Sequence, residues 1–123
     1  IPLSATGNAV AAMPILSGGL TAGASKGSSG SVIVRRITVQ NPSGNLGTAN
    51  VAISTSNDGN ASNLIVATTQ LSSLTGTGTF QDLPITAGNV VISGFTTQAL
   101  FVNVSTAVAG TVDIRVYGDT VNF

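Results

Sequence analysis

Residue types that usually carry enzyme chemistry are scarce in this sequence. The 123 residues contain no His and no Cys, and the four acidic residues are all Asp. Without His, Cys or Glu, a Ser-His-Asp triad, a zinc site and a Cys-His dyad cannot form within the chain. The lack of Cys also excludes disulfides. We therefore expect a protein that is not an enzyme and that has no cofactor.

One pair of neighbours could act as a nucleophile and its base, namely Ser25 and Lys26. The surrounding segment 17–31 is nearly all Gly, Ser, Ala and Thr, which is typical of a flexible linker that would not hold two catalytic groups in register. The same segment departs from the phosphate-binding loop, in which a Gly directly precedes the Lys. We assign no catalytic residue.

The turn Asn57-Asp58-Gly59-Asn60 is the candidate for a metal site. Asp58 and Asn60 offer oxygen ligands of the kind that calcium prefers, but the spacing of an EF-hand and its downstream bidentate acid are missing. Asn and Asp also favour turns for backbone reasons alone. We interpret the segment as a turn and keep Asp58 and Asn60 as a weak calcium candidate.

Charge is low and balanced along the whole chain. Four Lys and Arg residues offset four Asp residues, and 7% of the residues are charged, against roughly 25% in an average globular protein. The basic surface that a nucleic acid needs is missing, and no apolar run reaches the length of about 18 residues typical of a membrane span. We expect neither partner, whereas weak repulsion between copies leaves self-association open.

From residue 31 onward, apolar and polar residues alternate with the period of two that is typical of β-strands. Turn-forming Gly, Asn, Pro and Ser residues separate seven such runs, which are residues 32–39, 49–55, 63–69, 78–85, 89–95, 99–105 and 111–117. No helical segment is available as a crossover, which excludes a parallel sheet. The pattern predicts an all-β fold, an antiparallel β-sandwich of about seven or eight strands, either a jelly roll or an immunoglobulin-like Greek key.

The apolar positions of these runs predict the core between the two sheets. They are Val34, Ile37, Val39, Val51, Ile53, Leu64, Val66, Phe80, Leu83, Ile92, Leu100, Val102, Val112, Ile114 and Val116.

Residues 1–31 lack this period, and we expect an extended Gly/Ser/Ala-rich N-terminal arm there, followed by the sandwich over residues 32–123. Two apolar islands, Ile1-Pro2-Leu3 and Met13-Pro14-Ile15-Leu16, precede the Gly/Ser tract. The segment is either a frayed terminus or an arm whose apolar islands bind a neighbouring subunit.

Arg35 and Arg36 form the only charge doublet. Consecutive strand residues point to opposite faces, so one Arg should face the interior or its rim. That side chain either extends past the strand end, pairs with an Asp, or forms an ion pair with another subunit. The candidates for partner contact are Ile1, Leu3, Met13, Ile15, Leu16, Arg35, Arg36, Tyr117 and Phe123.

Three stretches of the sequence resemble small β-sandwich virion proteins of tailed phages. They are residues 34–44 (VRRITVQNPSG), residues 53–59 (ISTSNDG), and residues 100–104 (LFVNV) with 110–119 (GTVDIRVYGD). The resemblance covers roughly residues 32–120. It implies a protein on the capsid surface that decorates or cements the shell, bound to the major capsid protein or another virion subunit. It also implies a homo-oligomer, commonly a trimer at a local threefold axis, with an N-terminal segment that reaches over the shell.

The leading hypothesis is therefore a structural virion protein of the capsid decoration type. One alternative is an extracellular adhesin, or a module that binds a glycan or a protein, although the lack of Trp and the single Tyr argue against a sugar-stacking platform. A second alternative is a self-assembling fibre or tube subunit.

Overall fold

Eight antiparallel β-strands make up the computed structural model, which describes residues 1–14, 31–55, 63–86, 91–93 and 99–121. The strands are β1 (Gly7–Pro14), β2 (Ser31–Gln40), β3 (Asn50–Ser54), β4 (Leu64–Gln70), β5 (Phe80–Leu83), β6 (Val91–Ser93), β7 (Ala99–Thr106) and β8 (Asp113–Val121). The expected all-β antiparallel sandwich is confirmed. Within the described ranges, no helix has the length and hydropathy to cross a membrane.

The strands form two sheets. The first has the order β1-β7-β3-β4, and the second is built around β2. β8 pairs with almost the full length of β2, so β5 and β6 share the opposite edge of β2, one after the other. Among the described ladders, β3 and β4 are the one pair of consecutive strands that are hydrogen-bonded to each other. The strand order, which the sequence left open, is thus dominated by long-range pairings.

The core lies between the sheets and confirms most of the expected positions. Ten of the predicted residues are buried, namely Val34, Ile37, Val39, Val51, Ile53, Val66, Leu83, Leu100, Val102 and Val112, while Ile114 and Val116 pack against the cluster with partial exposure. Leu64 is half-buried, and the side chain of Ile92 lies outside the described part of the chain. The prediction that Phe80 lies in the core is wrong, because its side chain is 61% exposed. Its ladder partner is Gln40, on the outer face of the second sheet.

Two loops also contribute core residues that the alternation did not predict. Leu46, Ala49, Leu71 and Leu74 are all buried. Their backbones bond to one another: Leu46 N–H donates to the Leu74 carbonyl at 2.8 Å, and Leu71 N–H donates to the Ala49 carbonyl at 2.9 Å. These bonds satisfy backbone groups that burial would otherwise leave unpaired.

The first fourteen residues belong to the sandwich, which corrects the expected division at residue 31. β1 pairs with β7, and Leu3 is fully buried in the core cluster. The Leu3 N–H donates to the Gly110 carbonyl at 2.9 Å, and the Leu3 carbonyl accepts from the Val108 N–H at 3.0 Å. The first apolar island is therefore used within the chain, because its backbone is paired and the side chain of Leu3 is buried in the core.

The expected partner contacts in this segment change accordingly. Leu3 is not available to a partner, since none of its surface is exposed. Ile1 and Met13 are partly buried and pack against the core. Ile15 and Leu16 lie outside the described residues.

Candidate interaction face

The outer face of the second sheet collects side chains from three strands, and most of them are exposed. Ladder partners point to the same side of a sheet, and the registers Arg36↔Tyr117, Thr38↔Arg115, Thr38↔Asp82, Gln40↔Asp113 and Gln40↔Phe80 place their members together. Ile37 and Val39 occupy the opposite, buried side. We name this surface the Tyr117 face; its residues are Arg36, Thr38, Gln40, Phe80, Asp82, Asp113, Arg115 and Tyr117.

A β-bulge explains how both arginines of the doublet reach solvent. The register between β2 and β8 shifts between Val34 and Arg36, so that Arg35 is an extra residue on β2. Such an insertion breaks the alternation of side chains. Arg35 Nε lies 2.8 Å from Asp119 Oδ2, and Arg36 Nε lies 2.9 Å from Asp82 Oδ1, with all four side chains at least half exposed. Of the alternatives for this doublet, pairing with an Asp of the same chain is the one observed.

An ion pair and a hydroxyl organise the centre of the Tyr117 face. Besides Arg36, the hydroxyl of the buried Thr38 donates to Asp82 Oδ1 at 2.7 Å. These two hydrogen bonds, from Thr38 first and Arg36 second, lower the pKa of Asp82 below its ordinary value of 3.8. The bond to Asp82 in turn raises the pKa of Arg36. The Arg36 guanidinium also lies 5.9 Å from the centre of the Tyr117 ring, within the range of a cation–π contact.

The lowered pKa of Asp82 predicts a small acid sensitivity. A carboxyl group whose pKa falls on folding adds stability above its unfolded pKa, and this stability is lost as the pH drops through the folded pKa. Between pH 5 and the acid range below 3.8, the wild type should lose slightly more unfolding free energy than Asp82→Asn. The difference is small because water screens half-exposed groups. Urea titrations of both proteins across this range measure it; identical pH profiles would contradict it.

Arg115 differs from the other arginines on this sheet. It is exposed at the β8 side of the Tyr117 face, and both ion pairs found in the described ranges belong to Arg35 and Arg36. Its neighbour Asp113 accepts a hydrogen bond from Asn41 Nδ2 at 2.9 Å. Asn41 follows the last residue of β2 and has a φ of 51°, a left-handed conformation that Asn tolerates better than most residues.

The first sheet has a shallow groove on its outer side, with an empty volume of about 620 Å³ including its open mouth. Its lining is uncharged and includes Ala52, Thr68 and Asn103. Asn103 is 9% exposed and its Oδ1 accepts from the Ala9 N–H at 2.8 Å. Ala9 lies in a bulge of β1 with a φ of 54°. The side chain of Asn103 thus holds this bulge against β7, which is a structural role.

Of the residues singled out from the sequence, Arg36 and Tyr117 come together in the Tyr117 face, and Arg35 lies beside it. Asp58, Asn60 and Phe123 lie outside the described residues. In the ranges that are described, no three acidic, His or Cys side chains group together as a metal site would require. Phe80, Asp82 and Arg115 were missed as members of a site, because strand alternation alone does not reveal which strands are neighbours.

The Tyr117 face presents two exposed aromatic rings and the Arg36–Asp82 ion pair. The lowered pKa of Asp82 makes that carboxylate a weak proton acceptor at neutral pH. Searches of protein-family models, curated proteins and solved structures find no match to this chain.

Proposed function

We propose that this protein is a non-enzymatic structural subunit that adheres to a protein surface through the Tyr117 face. The observation that carries the proposal is the exposure of Phe80 and Tyr117, 61% and 45%, on a hydrogen-bonded sheet. Exposed aromatic residues with an adjacent Arg are the residue types that dominate the energy of protein interfaces. The sheet holds them in place before binding, which reduces the entropy lost on association.

The two aromatic side chains are arranged as separate anchors. They lie on opposite sides of β2, and their ladder partners Arg36 and Gln40 are four residues apart, or roughly 13 Å along the strand. Between them lies the Arg36–Asp82 ion pair. A protein surface is wide enough to contact both anchors at once.

A protein partner fits this face better than a sugar. Stacking of a sugar ring requires an open aromatic face, whereas the Arg36 guanidinium lies over the ring of Tyr117. For the adhesin alternative, a protein ligand is therefore better supported than a glycan ligand.

We propose the protein shell of a virion as this partner, with the chain as a capsid decoration protein. The resemblance over residues 32–120 and the charge-poor composition support this proposal. The mechanism is adhesive: a subunit that binds the assembled shell, and not its separated parts, stabilises the shell through mass action. No reaction is needed.

The test is co-sedimentation of the purified protein with heads of the virus that encodes it, prepared without the protein. Wild type should pellet with the heads and saturate. Truncating an interface anchor costs about 2 kcal/mol, so Tyr117→Ala should weaken binding roughly thirtyfold, and Phe80→Ala should act in the same direction. Thr68→Ala, in the groove of the first sheet, is the matched control and should bind like wild type.

Two results would count against the proposal. If Tyr117→Ala and Phe80→Ala pellet as well as wild type, the Tyr117 face is not the docking surface. If wild type binds no heads but is retained by an immobilised glycan, the adhesin alternative replaces the decoration protein. Circular dichroism of each variant separates loss of binding from loss of folding.

A further inference from the structure

Among the described residues, β8 is an edge strand of the second sheet. This nine-residue strand pairs with β2 on one side, and no described residue pairs with Ile114 to Val121 on the other. Open strand edges present unpaired N–H and C=O groups and are ready templates for another strand.

The hydrogen bonds of the preceding residues show which groups point to this open edge. Val112 bonds through both its N–H and its C=O to Ile1, whereas Thr111 bonds to Ser43 on the β2 side. Backbone groups of alternate strand residues point to the same edge. Those of Ile114, Val116 and Gly118 therefore point outward, and among the described residues Ile1 bonds to this edge at Val112.

We propose that this edge pairs antiparallel with β8 of a second copy of the chain, across a two-fold axis at Tyr117. In such a pair, each residue with outward-pointing backbone groups must lie opposite a residue of the second copy that also has them. Because these residues alternate along β8, this happens only if the two-fold axis passes through a residue position. An axis at Tyr117 pairs Val116 with Gly118 of the second copy and sets the two Tyr117 rings opposite each other. Pairing then uses residues 114–120, which avoids the part covered by Ile1.

Charge selects this register over its neighbours. With the axis at Tyr117, Arg115 lies opposite Asp119 of the second copy, and this happens twice by symmetry. An axis at Val116 would set Asp113 opposite Asp119, and an axis at Arg115 would set two arginines opposite each other. Opposite charges across a ladder stabilise a sheet and like charges destabilise it. Arg115 has no ion pair in the described structure. Asp119, which Arg35 of the same chain binds at 2.8 Å, would take Arg115 of the second copy as a further partner.

In the dimer, the second sheet of one copy would continue into the second sheet of the other. Both Tyr117 faces would then lie on the same side of this continuous sheet. This goes beyond the proposed docking function, since it concerns contact between copies and needs no shell. It is also a two-fold contact, unlike the threefold arrangement that the virion resemblance implies.

Single-Cys variants test the register cleanly, because the full chain contains no Cys. Directly opposite residues of a non-hydrogen-bonded pair have Cα atoms about 4.5 Å apart, within the range that a disulfide spans. Tyr117→Cys should form a covalent dimer under mild oxidation. Arg115→Cys and Asp119→Cys should not cross-link alone, but should cross-link when mixed. Thr68→Cys, on the first sheet, is the control and should stay monomeric.

Analytical ultracentrifugation of the wild type and Arg115→Asp gives a second readout that needs no cross-linking. The wild type should show a monomer–dimer equilibrium, and Arg115→Asp should raise its Kd about tenfold or more by setting Asp opposite Asp119. Thr68→Asp, with a new charge on the first sheet, should dimerise normally. A trimer, a monomer at all concentrations, or equal cross-linking of Tyr117→Cys and Thr68→Cys would overturn the proposal.

Discussion

Replacing Leu3 with Ala is expected to lower the free energy of unfolding by about 2–5 kcal/mol, the usual cost of truncating a fully buried Leu. Leu3 has no exposed surface and belongs to the core cluster. The backbone of Leu3 is itself held by hydrogen bonds to Gly110 and Val108, so the cavity should not collapse completely. Urea denaturation at neutral pH measures the loss.

The control for this variant is Ser4→Ala. Ser4 is the next residue and is exposed, so its replacement should change the unfolding free energy by no more than about 0.5 kcal/mol. If Leu3→Ala were as stable as Ser4→Ala, residues 1–14 would be an arm outside the sandwich, as the composition of residues 1–31 first indicated.

Replacing Gly118 with Val should destabilise the protein by about 3 kcal/mol, the upper end of the usual cost of overpacking. A Cβ atom at Gly118 would overlap the carbonyl oxygen of Ile33, in the strand opposite. The conflict is with backbone, which cannot rotate away, so β2 and β8 would have to separate beside the bulge. Thermal unfolding followed by circular dichroism measures the loss.

Gly76→Val is the matched control, because a Cβ atom at Gly76 would meet nothing within 4 Å. It should unfold close to the wild-type temperature. Gly118→Val should also weaken the dimer proposed for the β8 edge, since Gly118 lies in the paired segment. Equal stability of the two Val variants would contradict the close approach of β2 and β8.

The β-sandwich could be predicted because the period of two survives in nearly every strand after residue 31. Ile37 and Val39 alternate with Thr38 and Gln40, and the structure buries the apolar pair as the pattern requires. β1 could not be found in this way. Its sequence, GNAVAAMP, mixes small and turn-forming residues, and it becomes a strand through its pairing with β7.

The Tyr117 face could be predicted only in part, for a physical reason. The exposure of Tyr117 could be predicted, because the alternation along β8 points its side chain to the face away from Ile114 and Val116. The partnership of Arg36 with Asp82 depends on β2 lying beside β5, a contact between residues 46 positions apart. The exposure of Phe80 could not be predicted, because the alternation pattern assigns an apolar strand residue to the core.

The melting temperature of purified heads, measured against the concentration of added protein, tests whether the protein stabilises the shell. Wild type should raise this temperature with saturation, because binding to the assembled shell at a hundred times the Kd contributes about 2.7 kcal/mol per site. Tyr117→Ala should require a concentration roughly thirtyfold higher for the same rise. A melting temperature that stays constant at all concentrations of folded wild-type protein would contradict the adhesive role.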